Sequence, residues 1–113
     1  MKRLLLVSAV LLGCGRGLPD RLDKAPDMEA AILRLAPLGT ALPEAVRRVS
    51  AEGFRCEPVQ RGSFAGVADS FSYSYCNASS IRGAIESRYW QLALADSGGR
   101  LSRVYVSVAK VMP

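Results

Sequence analysis

Cys14, Cys56 and Cys76 are the three cysteines of this 113-residue chain, which contains no histidine. A thiol can be acylated, oxidised or bound to a metal. Without histidine the usual general base near neutral pH is missing. Lys24 lies in a polar stretch and Lys110 near the C-terminus, so a serine–lysine nucleophile pair is poorly placed. Glu57, Asp69 and Glu86 could supply paired carboxylates, but nothing in their spacing sets two of them across a cleft. Ser70, Ser72 and Ser74 read as the outward face of a strand. Gly13, Gly15 and Gly17 do not follow a strand and so form no phosphate-cradling loop. These residues predict no enzyme, no cofactor and no small-molecule substrate.

The chemistry of Cys14 comes from what precedes it. Lys2 and Arg3 form a basic start, and Leu4 to Leu12 is an apolar run of nine residues closed by Gly13. As a helix the run spans roughly 14 Å, too short for a hydrocarbon core of about 30 Å but suited to a secretory signal peptide. Leu11-Leu12-Gly13-Cys14 resembles the lipobox of bacterial lipoproteins. That resemblance implies cleavage between Gly13 and Cys14 and acylation of Cys14 by fatty acids such as palmitate. The alternative is an ordinary secretory signal with an incidental cysteine. Two or more acyl chains hold a protein on a membrane almost permanently. The implied location is the bacterial envelope. With Gly15 rather than aspartate after the cysteine, the outer membrane facing the periplasm is expected over the inner membrane.

Cys56 and Cys76 remain. An even pair in an exported chain predicts a disulfide, here closing a loop of about twenty residues. A metal is the alternative, but two cysteines cannot complete a zinc site alone. The chain carries a net charge of +5, and loss of Lys2 and Arg3 leaves +3. That excess is spread along the sequence, with no basic run that would mark nucleic-acid binding.

The elements that position these residues follow from periodicity. Residues 1–13 are assigned to the signal and 14–25 to a flexible Gly/Pro/charge-rich tether; 26–113 form one domain. Met28, Ile32 and Leu35 predict a helix over 26–36 that stops at Pro37. After Gly39-Thr40, Pro43 opens a second helix with Leu42, Val46 and Val49 on its buried stripe. Glu44, Arg48 and Glu52 lie four apart on the other face, Gly53 ends the helix, and Phe54 folds back on it. Phe71, Tyr73 and Tyr75 alternate with Ser72, Ser74 and Cys76, predicting a strand. Trp90, Leu92 and Leu94 predict a second strand, and Val104, Val106 and Val108 a third. Asn77-Ala78-Ser79-Ser80 reads as a polar loop, its match to a glycosylation acceptor being chance, and Asp96-Ser97-Gly98-Gly99 as a hairpin turn. Segment 55–70 reads as a loop or irregular edge. The fold class is α+β, two helices packed on a three-stranded antiparallel sheet.

A lipobox, a tether, Gly39-Thr40 leading into a helix with Glu44 and Val46, and strands ending in Gly98-Gly99-Arg100-Leu101 together resemble the small outer-membrane assembly lipoproteins of the BamE or SmpA type. The resemblance implies an αα-βββ domain and an accessory role in β-barrel insertion. The glycine-any-proline turn usual after that family's second helix is replaced here by Gly53-Phe54-Arg55-Cys56, and no functional residue is carried over. The aromatics read mainly as core under the helices. Tyr89 and Tyr105, opposite in phase to Trp90 and Val104, are the exceptions and the candidate partner-binding pair. The expectation is a lipid-anchored envelope protein that binds another envelope protein without catalysis. Its alternatives are an inhibitor of an exported hydrolase and a purely structural lipoprotein. An aromatic sheet face favours the first, a projecting acidic loop the second and a polar sheet the third.

Overall fold

The computed structural model describes residues 17–82 and 86–111. The signal segment and Cys14 lie outside the described residues. Three helices precede the sheet: α1 (Leu18–Arg21), α2 (Ala25–Leu35) and α3 (Leu42–Ala51). Each has a proline in its first turn, an acid there (Asp20, Asp27, Glu44) and an arginine in its last (Arg21, Arg34, Arg48). Proline loses no hydrogen bond at that position, and the charges oppose the helix dipole at both ends. Met28, Ala31 and Ile32 of α2, and Leu42, Ala45 and Val49 of α3, are the buried faces.

The expected helices therefore form, but the tether does not hold for the described part of 14–25. Leu18 and Pro19 are buried in α1, and the indole Nε1 of Trp90 donates to the Pro19 carbonyl at 3.3 Å. Asp23 forms an ion pair with Arg88, whose side chain is fully buried. The Gly/Pro/charge composition that reads as linker instead docks a short helix through Leu18, Pro19 and Leu22 and through ion pairs of Arg21 and Asp23.

Gly53 ends α3 at φ 108°, the left-handed conformation glycine tolerates best, and Phe54 beyond it is buried. Arg47 and Arg48 both donate to the Glu44 carboxylate. Those bonds, Arg47's first and Arg48's second, hold its pKa down from 4.5 to about 2. The group is ionised above that value, and its pairing is lost only as pH falls through it. Arg48 also donates to the Leu35 carbonyl at 3.1 Å, fastening α3 to the end of α2. Glu52 pairs instead with Arg21 of α1.

The sheet is antiparallel and has five strands rather than three. These are β1 (Arg55–Cys56), β2 (Gln60–Gly62), β3 (Phe71–Arg82), β4 (Glu86–Ser97) and β5 (Arg100–Val111). The path runs β1-β3-β4-β5, and β2 also pairs with β3. Segment 55–70 thus supplies two short edge strands. Asn77–Ser80, expected as a loop, lies within β3 in continuous register with Arg88–Gln91. Its polarity is that of a strand whose two faces meet different surroundings. The turn at Gly98-Gly99 forms as expected: both have positive φ, 61° and 84°, and the Gly99 amide donates to the Asp96 carboxylate. This is the two-residue hairpin geometry that glycine favours.

Residues alternate between two faces of the sheet. Cys76, Ala78, Trp90, Leu92, Leu94 and Val104 join the helices in the main core. Ser74 shares that face and is buried, its hydroxyl donating to the Glu57 carbonyl at 2.7 Å. The expectation that Ser74 faces outward and the strand's aromatics face the helices is inverted in β3. Small residues there let α1 and the Trp90 indole approach, and the aromatics occupy the other side. Cys56 and Cys76 are directly opposite in register on β1 and β3 and form a disulfide.

Candidate functional site

The face of the sheet away from the helices is built from Phe71, Tyr73 and Tyr75 on β3, Tyr89, Gln91 and Ala93 on β4, and Tyr105 on β5. Part of it is covered. The chain between β2 and β3 lays Phe64 against Tyr73, with ring centroids 6.1 Å apart in a T-shaped contact, and against Tyr105 at 6.4 Å. Phe64, Tyr73 and Ala93 form a second buried cluster, flanked by half-buried Val67, Phe71, Tyr75 and Tyr105. The physical reason is the isolated apolar pair Phe64 and Val67 in a Gly/Ser-rich arm. Such residues need a surface to cover, and the open sheet face is the one in reach.

Tyr89 and Tyr105 share this face, as their phase requires, but their surroundings differ. Tyr89 is exposed at 37%. Tyr105 is half-buried, with Phe71 at 5.2 Å on one side and the Arg103 guanidinium 5.0 Å over its ring. They are not neighbours either: Tyr89 pairs across with Ala109, and Tyr105 with Ala93. Tyr89 instead meets Tyr75, their hydroxyls 3.1 Å apart, and Gln91 Nε2 donates to Tyr75 at 2.9 Å. The Tyr89 phenol is raised above its ordinary pKa, first by the Tyr75 hydrogen bond, then by desolvation and by the charges of Tyr75 and Glu57. At the centre of this face exposed Tyr89 meets half-buried Tyr75, with half-buried Gln91 beside them and Tyr105 as a half-buried rim.

Between the arm and the strands lies a recess of about 370 Å³, lined by Glu57, Gln60, Ser63, Phe64, Ala65, Tyr73, Tyr75 and Gln91. Its floor is fixed by hydrogen bonds. Tyr73 donates to the Ser63 carbonyl at 3.0 Å, and Gln60 Nε2 lies 3.4 Å from the same phenol. Glu57 is anchored through its backbone, its amide donating to the Tyr75 backbone carbonyl at 2.8 Å and its carbonyl accepting from the Ser74 hydroxyl. The sequence identifies Glu57 only as an acid near a loop, and the spacing of Gln60, Phe64 and Gln91 does not bring them together. Phe64 was the available signal, as a large apolar residue stranded among glycine and serine.

On the helix side a second recess of about 460 Å³ is lined mainly by apolar groups, including Leu42, Pro43, Val46, Pro58 and Val59, together with Cys56, Ser74, Asp96 and Glu57, which borders both recesses. Among the described residues no cluster of three or more Cys, Asp or Glu side chains could hold a metal. No described helix is long and apolar enough to cross a membrane. No protein family, curated protein or solved structure matches the chain.

Proposed function

We propose that this is a lipid-anchored protein of the bacterial envelope, tethered through acylated Cys14 in the outer membrane facing the periplasm. It acts as a non-catalytic binding module for another envelope protein. The observation that carries the binding half is the aromatic face centred on Tyr89 and Tyr75, which the helices leave uncovered. Tyrosine gives large contact area at low entropic cost and keeps a polar handle, the profile of interface anchors. The anchor half rests on Leu11-Leu12-Gly13-Cys14. Tethering raises the local concentration of a weak binder, so a modest patch suffices. The protein needs no cofactor and no nucleic acid for this role. A role accessory to β-barrel assembly is the process that the lipobox and the Gly39-Thr40 and Gly98-Gly99-Arg100-Leu101 motifs suggest. An aromatic rather than polar face favours this reading over a purely structural lipoprotein. The chain between β2 and β3 packs Phe64 and Val67 on the sheet rather than projecting as an acidic inhibitor loop.

One experiment separates the two halves. Cells expressing the parent, Cys14→Ser or Tyr89→Ala chain are fed labelled fatty acid, then crosslinked with formaldehyde. The parent takes up label and forms an adduct. Cys14→Ser takes up none. Tyr89→Ala keeps the label and the unfolding midpoint but loses the adduct. Label in Cys14→Ser contradicts the anchor, and an undiminished adduct in Tyr89→Ala contradicts the site.

A further inference from the structure

We propose that the recess beside Glu57 is a cation pocket that receives the guanidinium or ammonium group of a basic side chain on the protein partner. This rests on the reading of the sheet face as a protein-binding surface and names the chemistry that the partner brings.

The Tyr73 hydroxyl proton is spent on the Ser63 carbonyl. Gln60 and Gln91 each direct an amide N–H at a wall phenol, Tyr73 and Tyr75. One N–H of each glutamine and the Ser63 hydroxyl remain as neutral donors beside the amide carbonyls, and the one charged group in the lining is the Glu57 carboxylate. Glu57 makes no side-chain hydrogen bond or ion pair among the described residues, and no lysine or arginine lines the recess. An anion would meet an unneutralised carboxylate with no compensating charge. A cation would meet that carboxylate in a wall that also holds Phe64, Tyr73 and Tyr75, and aromatic rings attract positive charge. The same sheet face already carries one such contact, Arg103 over Tyr105.

Preorganisation supports the assignment. The Glu57 backbone is pinned on both sides, by its amide to Tyr75 and its carbonyl to Ser74. The Cys56–Cys76 bond holds the preceding residue. The backbone of Glu57 is thus held in place, and only its side chain has to be ordered on binding. At about 370 Å³ the recess falls within the range of small-group sites and admits one long side chain.

The test is an NMR titration of the purified protein in neutral micelles with acetyl-Gly-Arg-Gly-amide. Acetyl-Gly-citrulline-Gly-amide serves as the uncharged isostere. The arginine peptide should give saturable shifts at the amides of Glu57, Tyr75 and Gln91, and the citrulline peptide none. Glu57→Gln removes the charge while leaving the backbone bonds, and should weaken arginine binding by roughly tenfold or more. Equal titration by citrulline, unchanged affinity in Glu57→Gln, or no saturable shift overturns the pocket. Where the pocket fails but a crosslinker at Tyr89 still captures a partner, the cation assignment falls and the sheet-face reading stands. Where both fail, both fall.

Discussion

Asp23→Ala is expected to lower the unfolding free energy by about 3 kcal/mol. Arg88 sits on β4 facing the helices with its side chain fully buried, and Asp23, 57% exposed, is its ion-pair partner. The Arg88 Nε and Nη2 find no hydrogen-bond acceptor among the described residues. Removing Asp23 therefore leaves a buried guanidinium without its compensating charge, the costliest way to break such a pair. The exposure of Asp23 places the effect at the low end of the range for buried pairs. The double variant Asp23→Ala/Arg88→Met should return to within about 1 kcal/mol of the parent, because an apolar side chain of similar length carries no charge to desolvate. Urea unfolding followed by Trp90 fluorescence measures both, since the indole is bonded to Pro19 in the same docked segment. A loss below about 0.5 kcal/mol in Asp23→Ala, the range of an ordinary surface change, would show that the 17–24 segment is not held in this way.

Removing the disulfide has an expected cost of similar size. Cys56 and Cys76 are separated by 20 residues, and closing a loop of that length is worth about 3 kcal/mol through the unfolded chain. The structure adds a local consequence. Cys56 anchors the start of the arm that carries Glu57 and Phe64 across the sheet, so the Cys56→Ala/Cys76→Ala chain should also expose the second aromatic cluster. A downward shift of the urea midpoint, with greater binding of a hydrophobic dye, is the expected result. Alkylation of the unfolded, unreduced protein should count no free thiol among these two; two reactive thiols would contradict the bond.

What was legible in the sequence was whatever depends on local chemistry. Pro43 and Gly53 bound α3, and its burial stripe needs only the 3.6-residue period. Gly98-Gly99 declares its turn because two consecutive positive φ values admit little else. The Cys56–Cys76 pairing was the expectation for an even pair of cysteines in an exported chain, and the bond is present. What was not legible depends on which face of the sheet meets which layer. Phe71-Ser72-Tyr73-Ser74-Tyr75-Cys76 carries a clear period of two, but the period does not say which side is inside. The main core took Ser74, Cys76 and Ala78 because Trp90 and α1 fill the space beside them, and the aromatics were covered by Phe64 from a distant loop. Composition misled at 17–24 for a related reason. A polar segment can dock through a few apolar residues and an ion pair to a buried arginine, and no local pattern announces that Arg88 will receive Asp23. The candidate site inherits this: Tyr89 follows from phase, whereas Glu57, Gln60 and Gln91 meet only through tertiary contact.

The account's central claim is that the sheet face, and not the helical layer, is the binding surface. Site-specific photocrosslinking in the intact envelope tests it most directly, with the photoreactive residue placed in turn at Tyr89 and at exposed Arg47 on α3. The predicted result is one discrete adduct from position 89, identified as the same envelope protein in repeated captures, and none from position 47. Adducts of equal yield from both positions, or from position 47 alone, would contradict it.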